Sequence, residues 1–176
     1  MPNCPETGRF PDIFQRDRLK AQVLPGRTQQ FMKVPPWLVI ARAEMGVCVL
    51  PVGSSHPRIG EYHEHAGISG YDDKVSWCSS FINWSLAQVG ITGTGSALAR
   101  SWLDWGQPLE EPVLGCVTVL WREDPASWKG HVGYYLRHDA ENVHLLGGNQ
   151  LEQVREHFYP RATILAHRWP IGVPIK

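Results

Sequence analysis

The sequence predicts an α+β protein in which helices come first and an antiparallel sheet follows. Three observations point there. Apolar residues recur at helical spacing as far as Gly106. Beyond Pro108, runs rich in β-branched and aromatic residues take over. Those runs are separated by short turn segments and not by helices, so neighbouring strands must pair antiparallel. The chain has 176 residues, of which 43 % are hydrophobic, enough for one core without disulfide staples.

Residues 1–34 are rich in Pro, Arg and Gln and show no sustained period, so they read as an arm of unassigned role, with one short turn near Ile13–Leu19. The folded domain is expected over 35–176. Pro35-Pro36 precede WLVIARAEMG; proline suits a helix's first turn, and Gly46 supplies a stop. IGEYHEHAG reads as a second helix ending at Gly67. SWCSSFINWSLAQVG, Ser76 to Gly90, is apolar around much of its circumference, which predicts a deeply buried third helix. Ser76 or Asp73 is the expected N-cap. TGTGS is a glycine turn, and ALARSWLDWG reads as a fourth helix closed by Gly106. Strands follow at Gly115–Arg122, His131–Arg137 and Val143–Gly148, with HDAEN as a turn, and then at Val154–Tyr159 and Thr163–Trp169. About five strands are expected.

Composition excludes several classes. Seventeen basic and 17 acidic residues balance, so nothing favours nucleic acid. No apolar run approaches the ~20 residues of a membrane span, so no membrane insertion is expected. The segment MPNCPETGRFPDIFQRDR lacks the apolar stretch of a secretory signal. The expectation is synthesis in the cytoplasm, with delivery by another route to any substrate outside it. Cys4, Cys48, Cys78 and Cys116 form no CxxC pair and are expected as reduced thiols. No metal site is expected: His63 and His65 are two apart and do not share a helical face, and TGTGS lacks the lysine and preceding strand of a phosphate loop.

One constellation carries chemistry. Cys78 opens the third helix, where the helix dipole favours a thiolate and free N–H groups can hold an oxyanion. A thiolate benefits from an oriented base. With the HDAEN turn, 138–142, centred on Ala140, paired residues sum to 280, so Arg137 faces Val143, Gly133 faces Gly147 and His131 faces Asn149. Glycines at 133 and 147 are expected to leave open space beside the pair. Each residue alone has a plainer reading, as core thiol, strand histidine or turn asparagine. Their order, Cys on a helix and then His and Asn on adjacent strands, is the papain-type arrangement.

Four blocks extend this pattern: PWLVIARAEMG at 36–46, WCSSFINWSLAQVGITGTGSALARSWLDWG at 77–106, GHVGYYL at 130–136 and LGGNQ at 146–150, with HRWP near the end. In these blocks the chain resembles the NlpC-type and CHAP-type papain-like cell-wall hydrolases. The resemblance implies a papain-like α+β fold, Cys78 as nucleophile, His131 as base, and Asn149 as the third residue with Gln150 as the weaker candidate. It implies that Trp77 flanks the nucleophile. The implied substrate is peptidoglycan, with an amide of the peptide stem or cross-link cut through a thioester and no cofactor. A phage lysin or a secreted antibacterial effector with a cognate immunity protein fits such an activity. Cys116 stands where relatives often carry an acidic residue, and it reads as a buried strand residue. Trp102 and Trp128, with Trp105 and Trp121, are candidates to stack on substrate. The rival readings are acyl transfer on the same fold and a non-catalytic wall-binding or phage structural module.

Overall fold

The computed structural model describes residues 34–175; the expected arm, apart from Val34, lies outside the described residues. Three helices, α1 (Pro36–Ala43), α2 (Pro57–His65) and α3 (Cys78–Ala87), precede six strands. The strands are β1 (Gln107–Leu109), β2 (Val117–Trp121), β3 (Gly130–His138), β4 (Asn142–Gln150), β5 (Gln153–Pro160) and β6 (Ile164–Trp169). They form one sheet in the order β1-β6-β2-β3-β4-β5, with every pairing antiparallel. The α+β class is therefore as expected, with six strands instead of about five. The extra strand, β1, is three residues long and contains a proline, so it carries almost no pattern to read.

Helix stops fall where glycine can turn the chain: Gly46, Gly67 and Gly90 all have positive φ. The fourth expected helix is a 3-10 helix, Ala99–Asp104. At six residues it is longer than most 3-10 runs. Trp102 explains its place: the indole is fully buried and donates to Ser79 Oγ at 2.8 Å. The glycine turn before it is tied to α3 by Asn83, whose Oδ1 accepts from Gly95 N at 2.9 Å and whose Nδ2 donates to Ser96 O at 3.1 Å.

The face of the sheet that bears Val117, Val119, Val132 and Tyr134 packs under α3. Tyr134 and Ser85 share a 2.7 Å hydroxyl bond across that layer, and all nine residues from Cys78 to Leu86 are buried. Approach is closest at Gly148, where a Cβ would lie 2.6 Å from the Trp77 ring and 2.7 Å from Phe81 Cβ. Only glycine lets α3 sit this low on β4. Trp77 is accordingly core, packed on Tyr62 at 5.9 Å between ring centroids. The opposite face carries Thr118, Leu120, His131 and Gly133, since directly paired residues share a face.

Two expectations about the thiols divide. Cys116 is buried just before β2, 3.8 Å from His167 Nδ1, and burial pushes its thiol up to about 11. Cys48, expected reduced, is disulfide-bonded. Among the described residues no helix is long and apolar enough to cross a membrane, and no group of three potential metal ligands gathers. His63 and His65 turn to separate partners, Ser80 Oγ with Asp72 O and Glu61 O respectively.

Candidate active site

Cys78 is the first residue of α3, and its N-cap is Trp77, which makes no side-chain cap bond. The expected caps are used elsewhere. Asp73 Oδ2 accepts from Leu50 N and His56 N, both at 2.9 Å, and so fastens the loop before α2. Ser76 Oγ lies 4.0 Å from Cys78 Sγ. The backbone groups of Val132 and Ser79 also hydrogen-bond that sulfur. The Val132 bond brings the start of α3 against β3, one residue from His131, across 54 positions of sequence.

His131 is 5 % exposed and Cys78 3 %. His131 Nε2 lies 3.1 Å from Gln150 Oε1. The Gln150 amide has one orientation open to it: Nε2 donates to Leu145 O at 3.2 Å and to Arg155 O, both of which only accept. Oε1 must then be the atom that faces His131, where it also accepts from Tyr159 Oη at 3.1 Å. An oxygen at that position requires a proton on His131 Nε2. The unprotonated nitrogen is therefore Nδ1. Tyr159 also packs along the imidazole, with ring centroids 5.0 Å apart.

This corrects the expected hairpin geometry. The 280 sum holds for Tyr134 with Leu146 and Tyr135 with Leu145, but a bulge puts Arg137 opposite His144 instead of Val143. Near the other end, Asn149, Leu151 and Glu152 all have left-handed backbones, with φ of +56°, +52° and +62°. The left turn at 149 swings Asn149 away from His131, and its Nδ2 donates to Ser76 Oγ at 3.3 Å. Gln150, the weaker candidate from sequence, is the residue beside the imidazole. Gly133 and Gly147 do not leave open space. A Cβ at 147 would sit 3.3 Å from the Gln150 carboxamide, and one at 133 would sit 3.1 Å from Leu145 Cβ. Gly147 makes room for the residue that holds His131, and Gly133 makes room for Leu145.

Electrostatics also refine the expectation. Burial is the largest influence on Cys78 and pushes its thiol up; bonds from Val132, Ser76 and Ser79 pull the other way. A helix terminus contributes about 0.3–1 kcal/mol near a surface, too little to offset full desolvation. Burial pushes His131 down to about 4, the Gln150 bond opposing it. The resting pair is therefore a neutral thiol and a neutral imidazole. The exposed Arg122, just past β2, acts on both: it stabilises the thiolate and opposes the imidazolium.

Of the tryptophans expected to meet substrate, Trp77 and Trp102 are fully buried and serve the core. Trp105 donates to Thr92 O and Trp121 to Ala162 O. Trp128 is 71 % exposed, on the loop that leads into His131. Arg100 holds that loop through Lys129 O at 3.1 Å and Pro125 O at 3.0 Å. Tyr159 went unread in the sequence, because an aromatic in a strand carries no signal of what its hydroxyl meets.

No family model matches the chain, and no curated protein matches it. Among solved structures, one described as similar to lipoprotein, NLP/P60 family, from Staphylococcus aureus subsp. aureus Mu50 superposes with a TM-score of 0.43 at 17 % identity. The match covers 76 % of this chain and 40 % of that one, so this chain spans two fifths of that structure's length.

Proposed function

We propose that this protein is a cysteine hydrolase that cleaves an amide of peptidoglycan stem or cross-link peptides, with Cys78 as nucleophile, His131 as base and Gln150 as the residue that orients His131. The observation that carries the reading is the Gln150 amide, which fixes the His131 tautomer while the neighbouring Val132 binds the Cys78 sulfur. The wall-peptide substrate rests on the four sequence blocks that resemble NlpC-type and CHAP-type enzymes.

As Cys78 attacks the carbonyl carbon, His131 Nδ1 takes the thiol proton. The carbonyl oxygen becomes an oxyanion, held by free N–H groups of the first turn of α3. Collapse breaks the C–N bond, His131 returns the proton to the leaving amine, and a thioester remains. Water then attacks the thioester, giving its proton to His131, and the thiol and a carboxylic acid are released. The imidazolium that forms twice in this cycle is stabilised by Gln150 Oε1.

The test is digestion of purified peptidoglycan by wild type, Cys78→Ala and His131→Ala, with products identified by mass spectrometry. Release of muropeptides with new free carboxyl groups by wild type alone is expected. Equal release by Cys78→Ala rejects the nucleophile; products carrying an amine adduct in place of a carboxyl indicate acyl transfer instead of hydrolysis.

A further inference from the structure

We propose that Asn149 and Ser76 are positioning residues for the nucleophile: the Asn149 amide holds the Ser76 hydroxyl so that its proton points at the Cys78 sulfur. This rests on Cys78 being the nucleophile, and it gives Asn149 a task on the thiol side of the pair instead of the imidazole side.

Three observations meet here. Asn149 Nδ2 lies 3.3 Å from Ser76 Oγ, across 73 positions of sequence. Ser76 Oγ lies 4.0 Å from Cys78 Sγ. Ser76 is free for this use, because α3 takes no side-chain cap and its N-cap is Trp77. The donor logic then sets the direction. An amide NH2 can only donate, so Ser76 Oγ must accept from Asn149, and the single hydroxyl proton is left for another acceptor. The sulfur is within reach. A neutral thiol is a weak acceptor; a thiolate is a strong one, and charge-assisted bonds shorten. The contact therefore tightens as the sulfur ionises, which favours the attacking form over the resting one. The backbone supports the arrangement: Asn149 sits at φ +56°, a left-handed conformation that asparagine tolerates better than most residues. That conformation is what carries its side chain off the line toward His131 and onto Ser76. The Ser76 bond is among those that counter the burial of Cys78.

The readout is the pH dependence of Cys78 alkylation by iodoacetamide, followed by peptide mass mapping that separates Cys78 from Cys116. It needs no substrate, so it reports on this arrangement whether or not wild type releases muropeptides. Ser76→Ala is expected to raise the alkylation midpoint by about one pH unit, the size of one hydrogen bond to a charged group. Asn149→Gly, which keeps the left-handed backbone and removes only the amide, is expected to raise it in the same direction. The double variant is expected to go no further than Ser76→Ala alone, since Asn149 acts through Ser76. Ser76→Thr, which retains a hydroxyl, is expected to restore the wild-type midpoint. An unchanged midpoint in either single variant overturns the proposal, as do additive shifts in the double variant.

Discussion

Replacing Gln150 by leucine tests the tautomer argument most directly. Leucine fills similar space and removes four bonds: those to His131, Tyr159, Leu145 O and Arg155 O. At about 1 kcal/mol net for each neutral bond, with somewhat more where a buried group is left without a partner, the loss in folding stability is about 3–5 kcal/mol. The kinetic loss has a separate origin. In the transition state His131 is an imidazolium, and its bond to Oε1 is charge-assisted, worth about 1.5–3 kcal/mol. At about 1.4 kcal/mol per tenfold, kcat falls roughly 10- to 150-fold. KM should change little, because Gln150 is buried and does not meet substrate. Urea denaturation gives the first quantity, and initial rates of muropeptide release give the second. Nitrogen-15 NMR of the imidazole adds a third readout, since the Nε2–H form should give way to a mixture. A folded Gln150→Leu protein with kcat within threefold of wild type refutes the reasoning.

The remaining predictions follow from the same contacts. With His131 pushed down to about 4, the base stays free well below the ordinary imidazole value; kcat/KM should hold as pH falls through 6.5 and drop only near 4, and an acid limb centred at 6.5 contradicts the burial argument. The same depression makes the unfolded chain bind the proton first. The stability His131 contributes is thus full above 6.5 and lost as pH falls to 4, by about 3 kcal/mol in all at roughly 1.4 per pH unit, and urea midpoints of wild type against His131→Gln should diverge across that window. Gly148→Ala should destabilise by about 1–3 kcal/mol through overpacking on Trp77 and Phe81, and should cut activity as well by lifting α3 off β4; thermal unfolding and muropeptide release measure the two effects. Trp128→Ala, at an exposed position, should leave the melting temperature unchanged, whereas Trp102→Phe should lower it by stranding Ser79 Oγ without its indole donor.

Much of this geometry was legible in the chain. The buried third helix announced itself through apolar residues on all sides, and the glycines at 46, 67 and 90 marked the ends of the three helices. The elements that carry Cys78 and His131, the start of a buried helix and a strand, were legible from residue type and order. What could not be read was local conformation at single residues. The bulge after Tyr135 shifts the register by one position, and three left-handed residues between 149 and 152 redirect the end of β4. Neither leaves a periodic trace, and together they decide whether 149 or 150 meets the imidazole. The 3-10 segment at Ala99–Asp104 escaped for a related reason: its composition suits an α-helix, and only the fit of Trp102 onto Ser79 selects the tighter coil. Tertiary burial pushes the Cys78 thiol up, against the expected thiolate, and a helix-terminus argument does not contain burial.

The burial of Cys78 also bears on how the protein survives and how it is to be inhibited. A sulfur stored as a shielded thiol reacts slowly with peroxide, because thiolate character and access govern entry to the sulfenic, sulfinic and sulfonic ladder. A nucleophile so shielded, the role proposed for Cys78, is suited to a milieu where an exposed thiolate would be spent before it met its substrate. The same shielding blunts electrophiles that rely on warhead reactivity alone. A covalent probe for this site would need to dock as a substrate does, so that His131 takes the proton while the warhead is already in place.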